Sequence, residues 1–250
     1  FTIFIYQIEK NMESQKPKIA MYVKRPFGEK LNASFDFLKE NWKLLLKFTT
    51  YLLLPLCLIQ ALSLNGLMSG ALSISAIASS TAMAASSSSL IAFGSYYGLY
   101  MFLYLIGIIL LTSLVYGLIR TYNEREERLQ GVTLGMLKPR LFRNIKRLLL
   151  MTGACILLVL FVGIFVGLLV ALTPFTLFLT IPFIIAFSVP LALLAPIYLF
   201  EDITLMEAFK KTFRLGFATW GGVFLVSLLM GIIANVLQGV TMMPWYIATV

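Results

Sequence analysis

All 31 charged residues of this 250-residue chain lie in three windows, residues 9–47, 120–147 and 201–214. The uncharged blocks 48–119, 148–200 and 215–250 are 72, 53 and 36 residues long, each longer than the ~20 apolar residues that span a bilayer core. A chain partitioned this way places lipid around the blocks and headgroups or water around the windows. The fold class that follows is all-α, a polytopic membrane helix bundle.

Span counting follows from block length. The first block holds two spans, near 44–64 and 90–119, joined by a Gly, Ala and Ser-rich stretch from Asn65 to Ser89 that reads as a low-complexity connector or an interfacial helix. The second holds a hairpin, about 148–172 and 175–200, turned by Thr173 and Pro174. The third yields one span near 220–240, and Met242 to Val250, with the interfacial pair Trp245 and Tyr246, reads as the start of a truncated sixth. Five transmembrane helices are therefore visible. Residues 1–26 read as a polar N-terminal segment and 27–250 as a single transmembrane domain. The apolar Phe1 to Ile8 reads as non-native leader, with Met12 or Met21 a more natural start, so the chain reads as a fragment.

The three windows hold nine, eight and three basic residues, and the opposite face holds none. Short loops rich in Lys and Arg stay cytoplasmic, so all three windows and the N-terminus are expected on that side. An even number of spans must then separate them, as the block lengths independently require.

Composition excludes several function classes. The chain is 60% hydrophobic and 12% charged, against about 25% charged for soluble domains. Its net charge of +9 sits beside apolar spans, where anionic lipid headgroups are the nearer partner, and no nucleic-acid module accompanies it. There is no histidine, and the two cysteines, Cys57 and Cys155, lie in apolar blocks. Ser-His-Asp, Cys-His and His-rich zinc arrangements are thereby excluded, and no cofactor or metal is expected.

Each window carries an amphipathic helical segment that runs into a span. In the first the apolar stripe is Phe27, Leu31, Phe35, Leu38, Trp42 and Leu45. In the second it is Leu134, Leu137, Leu141, Ile145 and Leu148, interleaved with Lys138, Arg140, Arg143, Lys146 and Arg147, with Pro139 marking the first turn. In the third it is Met206, Phe209, Phe213, Phe217 and Trp220, opened by the capping-box pair Thr204 and Glu207. Sliding 31–46 onto 209–224 pairs Phe35 with Phe213 and Trp42 with Trp220. The expectation is three repeats, each an interfacial helix plus a transmembrane hairpin, the third cut short. Such helices would lie on the inner leaflet with Arg140, Arg143, Lys146 and Arg147 near lipid phosphates. Docking of a membrane or cytoplasmic protein partner is the sharper alternative.

The run Ile203 to Ile233, ITLMEAFKKTFRLGFATWGGVFLVSLLMGII, resembles an element of the glycerophosphoryl diester phosphodiesterase membrane-domain family and related bacterial integral-membrane families, and Phe27 to Trp42 is a weaker copy. The resemblance implies a bacterial inner-membrane module of about six spans. The family's soluble phosphodiesterase barrel has no counterpart here, so no phosphodiesterase activity is implied.

Within the spans there is no ionisable side chain of the kind that marks proton relays or ion paths. The neutral polar candidates are Gln60, Asn65, Asn235 and Gln238; Asn235 and Gln238 share a helix face and read as interhelical hydrogen bonds before they read as a substrate path. Tyr97, Tyr100 and Tyr104 read as an aromatic belt, and the Gly94/Gly98 and Gly163/Gly167 pairs as sites of close helix approach. Pro182, Pro190 and Pro196 bend the fourth span. Residues 123–130 read as a helical extension of the second span ended by Gly131, with Glu124 and Arg128 at pairing distance. The function expected is a non-enzymatic structural or accessory role, with a transporter or exporter subunit for a neutral or lipid-like substrate as the alternative.

Overall fold

The computed structural model describes residues 17–20, 23–78, 86–173 and 175–249. Expectations about the leader, Met12, Met21 and Pro174 lie outside the described residues, as do the side chains of Trp245 and Tyr246. The described residues form helices without a strand: α1 (Phe27–Ala78), α2 (Ser86–Glu124), α3 (Leu134–Leu172), α4 (Thr176–Leu191), α5 (Leu194–Phe200), α6 (Leu205–Ala218) and α7 (Trp220–Thr249). Five stretches are long and apolar enough to cross a membrane: Phe27–Leu72, Leu90–Glu124, Leu134–Leu172, Thr176–Phe200 and Trp220–Pro244.

Element boundaries differ from the sequence reading for physical reasons, and residues 242–249, read as the start of a sixth span, continue α7 without a break. The Ser and Ala-rich stretch is helical through Ala78 and again from Ser86, because Ala, Leu and Met favour helix and nothing on those flanks breaks it. At 52 residues, and ~1.5 Å per residue, α1 is about two and a half times the length of a bilayer core. The second span stops at Glu124, and residues 125–131 are turns in which Arg128 (φ 58°) and Gly131 (φ 68°) take left-handed conformations that an α-helix does not admit. The expected helical extension over 123–130 is therefore absent. Glu124 pairs instead with Arg120 and Arg140, and Arg128 with Glu40.

The amphipathic segments are not uniformly separate helices. α1 and α3 run without interruption from charged segment to span, Pro139 lying inside α3 and not in its first turn. Only α6 is set off, by Thr219 at φ −119°, whose hydroxyl donates back to Leu215 O at 2.9 Å, a bond that bends helices.

Residues 17–20, 23, 32–78 and 86–146 belong to one compact unit, and 24–31, 147–173 and 175–249 to another. The core of the first joins Phe37 and Phe48 of α1, Leu114, Leu118 and Tyr122 of α2, Leu129 and Val132 of the turn segment, and Leu137 of α3. Farther along, α1 and α2 approach at Gly66 and Gly70, where an added Cβ would stand 2.6 Å from the Tyr96 ring and 3.5 Å from Phe93. The close glycine pair is thus 66/70. Gly94, Gly98, Gly163 and Gly167 have open space where a Cβ would go.

The second unit is built on the broken fourth span. Pro190 lacks an N–H, the helix tightens into i→i−3 bonds from Ala192 to Val189 O and Leu193 to Pro190 O, and α5 restarts at Leu194. Leu194, Ile197 and Tyr198 pack on Ala208 of α6, with Met151 and Cys155 of α3. The α6 face used here is Ala208, Thr212 and Gly216, one residue per turn and all buried. Small side chains let its backbone reach the kink.

Along the middle of α3 the side chains are outward. The most apolar window of α3 has mean hydropathy 3.2 and no buried residue, with Leu157 70% and Phe161 71% exposed. A helix apolar on all sides is stable in lipid, not in water.

A Cβ on Gly216 would fall 2.6 Å from the Pro190 Cα, a backbone atom that cannot swing away. Gly216→Ala is expected to destabilise the protein by about 1–3 kcal/mol, measured by reversible unfolding in mixed micelles, whereas Gly163→Ala should be neutral.

Candidate functional site

Polar chemistry gathers in two clusters, one in each unit, where helix ends leave backbone carbonyls without intrahelical partners. In the first unit Glu40, on α1, accepts from Arg128 Nη1 at 2.8 Å and from the Tyr122 hydroxyl at 3.2 Å. Tyr122 is fully buried, its ring edge-on to Phe37 at 5.2 Å, and its hydroxyl accepts from the Ile19 N–H at 3.3 Å. Lys18 Nζ donates to the carbonyls of Asn123 (2.6 Å) and Arg125 (3.2 Å), a cation on the negative end of the α2 dipole. Arg140 donates to Thr121 Oγ1 at 3.0 Å and to the Glu124 carboxylate. Deeper in, Ser113 Oγ donates to Leu141 O (3.0 Å) and Asn144 Nδ2 to Ser113 O (3.3 Å). These bonds tie α2 to α3 where both are buried.

In the second unit Arg147 is the centre. Its guanidinium donates to Tyr198 O, to Ile203 O at 2.8 Å and to the Asp202 carboxylate at 3.4 Å, and lies 4.1 Å from the Tyr198 ring centroid. One planar fork thus holds the α5 end, a left-handed Asp202 (φ 53°) and the start of α6 together. Lys211 pairs with Glu201 at 2.6 Å. The capping box is complete: Glu207 N–H donates to Thr204 Oγ1 (3.4 Å) and Thr204 N–H to Glu207 Oε2 (3.1 Å). The Thr204 N–H, then its side chain, with Lys210 contributing, hold the Glu207 carboxyl below the usual carboxylate range.

Trp220 has a specific task. The carbonyl of Ala186 would ordinarily accept from residue 190, which is proline; Trp220 Nε1 donates to it at 3.0 Å. Phe213 stacks with Phe217, and both meet the Phe187 ring edge-on.

The sequence-derived site residues therefore separate. Arg140 and Arg147 are held by protein groups and not by an outward surface, whereas Arg143 and Lys146 are exposed. Phe35 and Trp42 point outward, Trp42 54% exposed, because α1 buries a different stripe, Phe37, Asn41 and Phe48. Gln60 is half-buried and Gln238 exposed. Asn235 donates within its own helix, to Gly231 O at 2.8 Å. Tyr97 and Tyr104 are exposed, in keeping with an aromatic belt.

Sequence reasoning passed over Tyr122, Ser113, Asn144 and Gly216. An Asn within the amphipathic segment, four residues from Arg140 and three from Arg147, was the available signal for Asn144. Among the described residues no group of three His, Cys, Asp or Glu is placed to hold a metal ion. Comparison of the chain with protein-family models, with curated proteins and with solved structures finds no match in any of the three.

Trp220→Phe keeps the ring and strands the Ala186 carbonyl, and should cost about 0.5–1.7 kcal/mol in micelle unfolding; Trp42→Phe removes no protein bond and should leave stability unchanged. The capping-box stabilisation of α6 is complete at neutral pH, above the ~4.3 of a free Glu carboxyl. It should vanish as pH falls through the lower folded value. Amide exchange of Met206 to Ala208 should accelerate over that window in the native chain and show no such step in Glu207→Gln.

Proposed function

We propose that the chain is a multi-pass bacterial inner-membrane protein with its N-terminus cytoplasmic, acting as a non-enzymatic structural or accessory module in membrane or envelope physiology. Its basic windows face anionic lipid headgroups and are open to a membrane or cytoplasmic protein partner. The observation that carries this reading is the use made of the converging charges: Glu40 with Arg128, Glu124 with Arg140, and Arg147 with Asp202 each hold one element on another. Groups consumed in this way stabilise a scaffold. Catalysis or transport would call for groups left available to a substrate. The resemblance of Ile203–Ile233 to bacterial membrane modules points the same way.

The α4–α5 break favours the second reading, a transporter or exporter subunit for a neutral or lipid-like substrate, since broken helices line substrate sites. Against it, the carbonyl freed by Pro190 is taken by Trp220 and the kink is covered by Gly216. The balance lies with the accessory role.

With Cys57 and Cys155 replaced by serine, single cysteines at Arg125 and Lys210 should both be labelled by an impermeant thiol reagent from the cytoplasmic side only. Labelling of the two from opposite sides would overturn the orientation. Purification in mild detergent should bring down a stoichiometric partner; solute flux in liposomes by the chain alone would replace the accessory reading with transport.

A further inference from the structure

The entry segment of α1 has two apolar faces, and only one is used by the protein. Phe37, Asn41 and Phe48 turn into the first unit's core, while Leu38, Trp42 and Leu46 point away from it, Leu46 at 59% exposure. Beside this outward stripe stand Lys39, Lys43 and Lys47, all exposed and one helical turn apart. Among the described residues none of the three is in an ion pair, whereas Glu40, between them in sequence, is turned the other way to Arg128 and Tyr122. Lys43 Nζ sits 5.9 Å from the Trp42 ring centroid, the distance of a cation held over an aromatic face.

We infer that this outward face of α1 is a binding site for anionic phospholipid, with Lys39, Lys43 and Lys47 taking the phosphate and Leu38, Trp42 and Leu46 lying among the upper acyl segments. Charge complementarity selects the occupant. Three lysines at successive turns on the last two turns before an uncharged block span the depth of a headgroup layer, about 12 Å at ~1.5 Å per residue. Lysine is a flexible point charge that snorkels to phosphate from a buried stem, and tryptophan is the residue that settles at the same level. An acidic protein surface would match the charges and leave the adjoining leucines uncovered; a lipid molecule matches both. Asp36, a turn earlier, borders the face at the end farther from the uncharged block.

This inference rests on the membrane-embedded reading and is tested on the full chain by counting lipids retained in native mass spectrometry after reconstitution into nanodiscs of mixed phosphatidylglycerol and phosphatidylcholine. The wild type is expected to retain phosphatidylglycerol preferentially. The triple variant Lys39→Gln/Lys43→Gln/Lys47→Gln should lose that preference by about tenfold or more, with unfolding in pure phosphatidylcholine nanodiscs unchanged. A charge-matched variant, Lys138→Gln/Lys146→Gln/Arg214→Gln, should lose far less. Equal loss in the two variants, or none in the first, overturns the site, as does displacement of the lipid by soluble glycerol phosphate at equal concentration. Loss of a co-purifying acidic protein from the first variant with its lipid preference intact overturns it in favour of a protein partner. A chain that fails to enter nanodiscs at all fails the membrane reading itself, an outcome separate from each of these.

Discussion

Lipid offers no hydrogen bonds, so every backbone group stripped of its helical partner must find another inside the protein. The second unit is arranged around one such group. Pro190 bends the fourth span and orphans the Ala186 carbonyl; the Trp220 indole supplies the missing donor at 3.0 Å. For the indole to reach it, α6 has to lie tight against the kink, and the one-per-turn series Ala208, Thr212, Gly216 makes that approach possible. A bend that would be a defect in isolation becomes the docking point for the next helix.

Packing is unevenly distributed along the spans. Buried cores form where charged segments meet span ends, as at Phe37, Tyr122 and Leu137 or at Tyr198 and Ala208. The middles of α3 and α7 contribute no buried residue to their most apolar windows. Near the headgroups, apolar side chains still gain by leaving water, and polar ones gain by pairing. Deep in hydrocarbon a leucine is as well solvated by lipid as by another leucine, so apolar burial alone does not draw helices together there.

Arginine and lysine divide the work. Arg128, Arg140 and Arg147 bind carboxylates, hydroxyls or carbonyls of the protein with a rigid fork, while Lys39, Lys43, Lys47, Lys138 and Lys146 are exposed. Lys18 and Lys211 depart from this pattern, each meeting a single centre of negative charge, a helix C-terminus and Glu201. The division follows from geometry: a planar guanidinium keeps less freedom to lose per bond than a four-carbon stem. A count of positive charges in a window cannot separate the two uses.

The sequence alone determined the solvent and the element type. Block lengths and the absence of internal charge required long apolar helices, and Thr204 with Glu207 marked where α6 begins, because these are local or one-dimensional properties. It also marked Trp42, Arg140, Arg147 and Trp220 as candidates for the membrane interface without assigning them different tasks. Only the tertiary structure decided that α1 buries the Phe37 stripe and presents Trp42 outward, that the close glycine pair is 66/70, and that Arg147 faces inward. The reason is that a helix apolar over most of its circumference gives its own sequence no preferred inner face, and the choice falls to whichever neighbour can satisfy a particular carbonyl, carboxylate or hydroxyl.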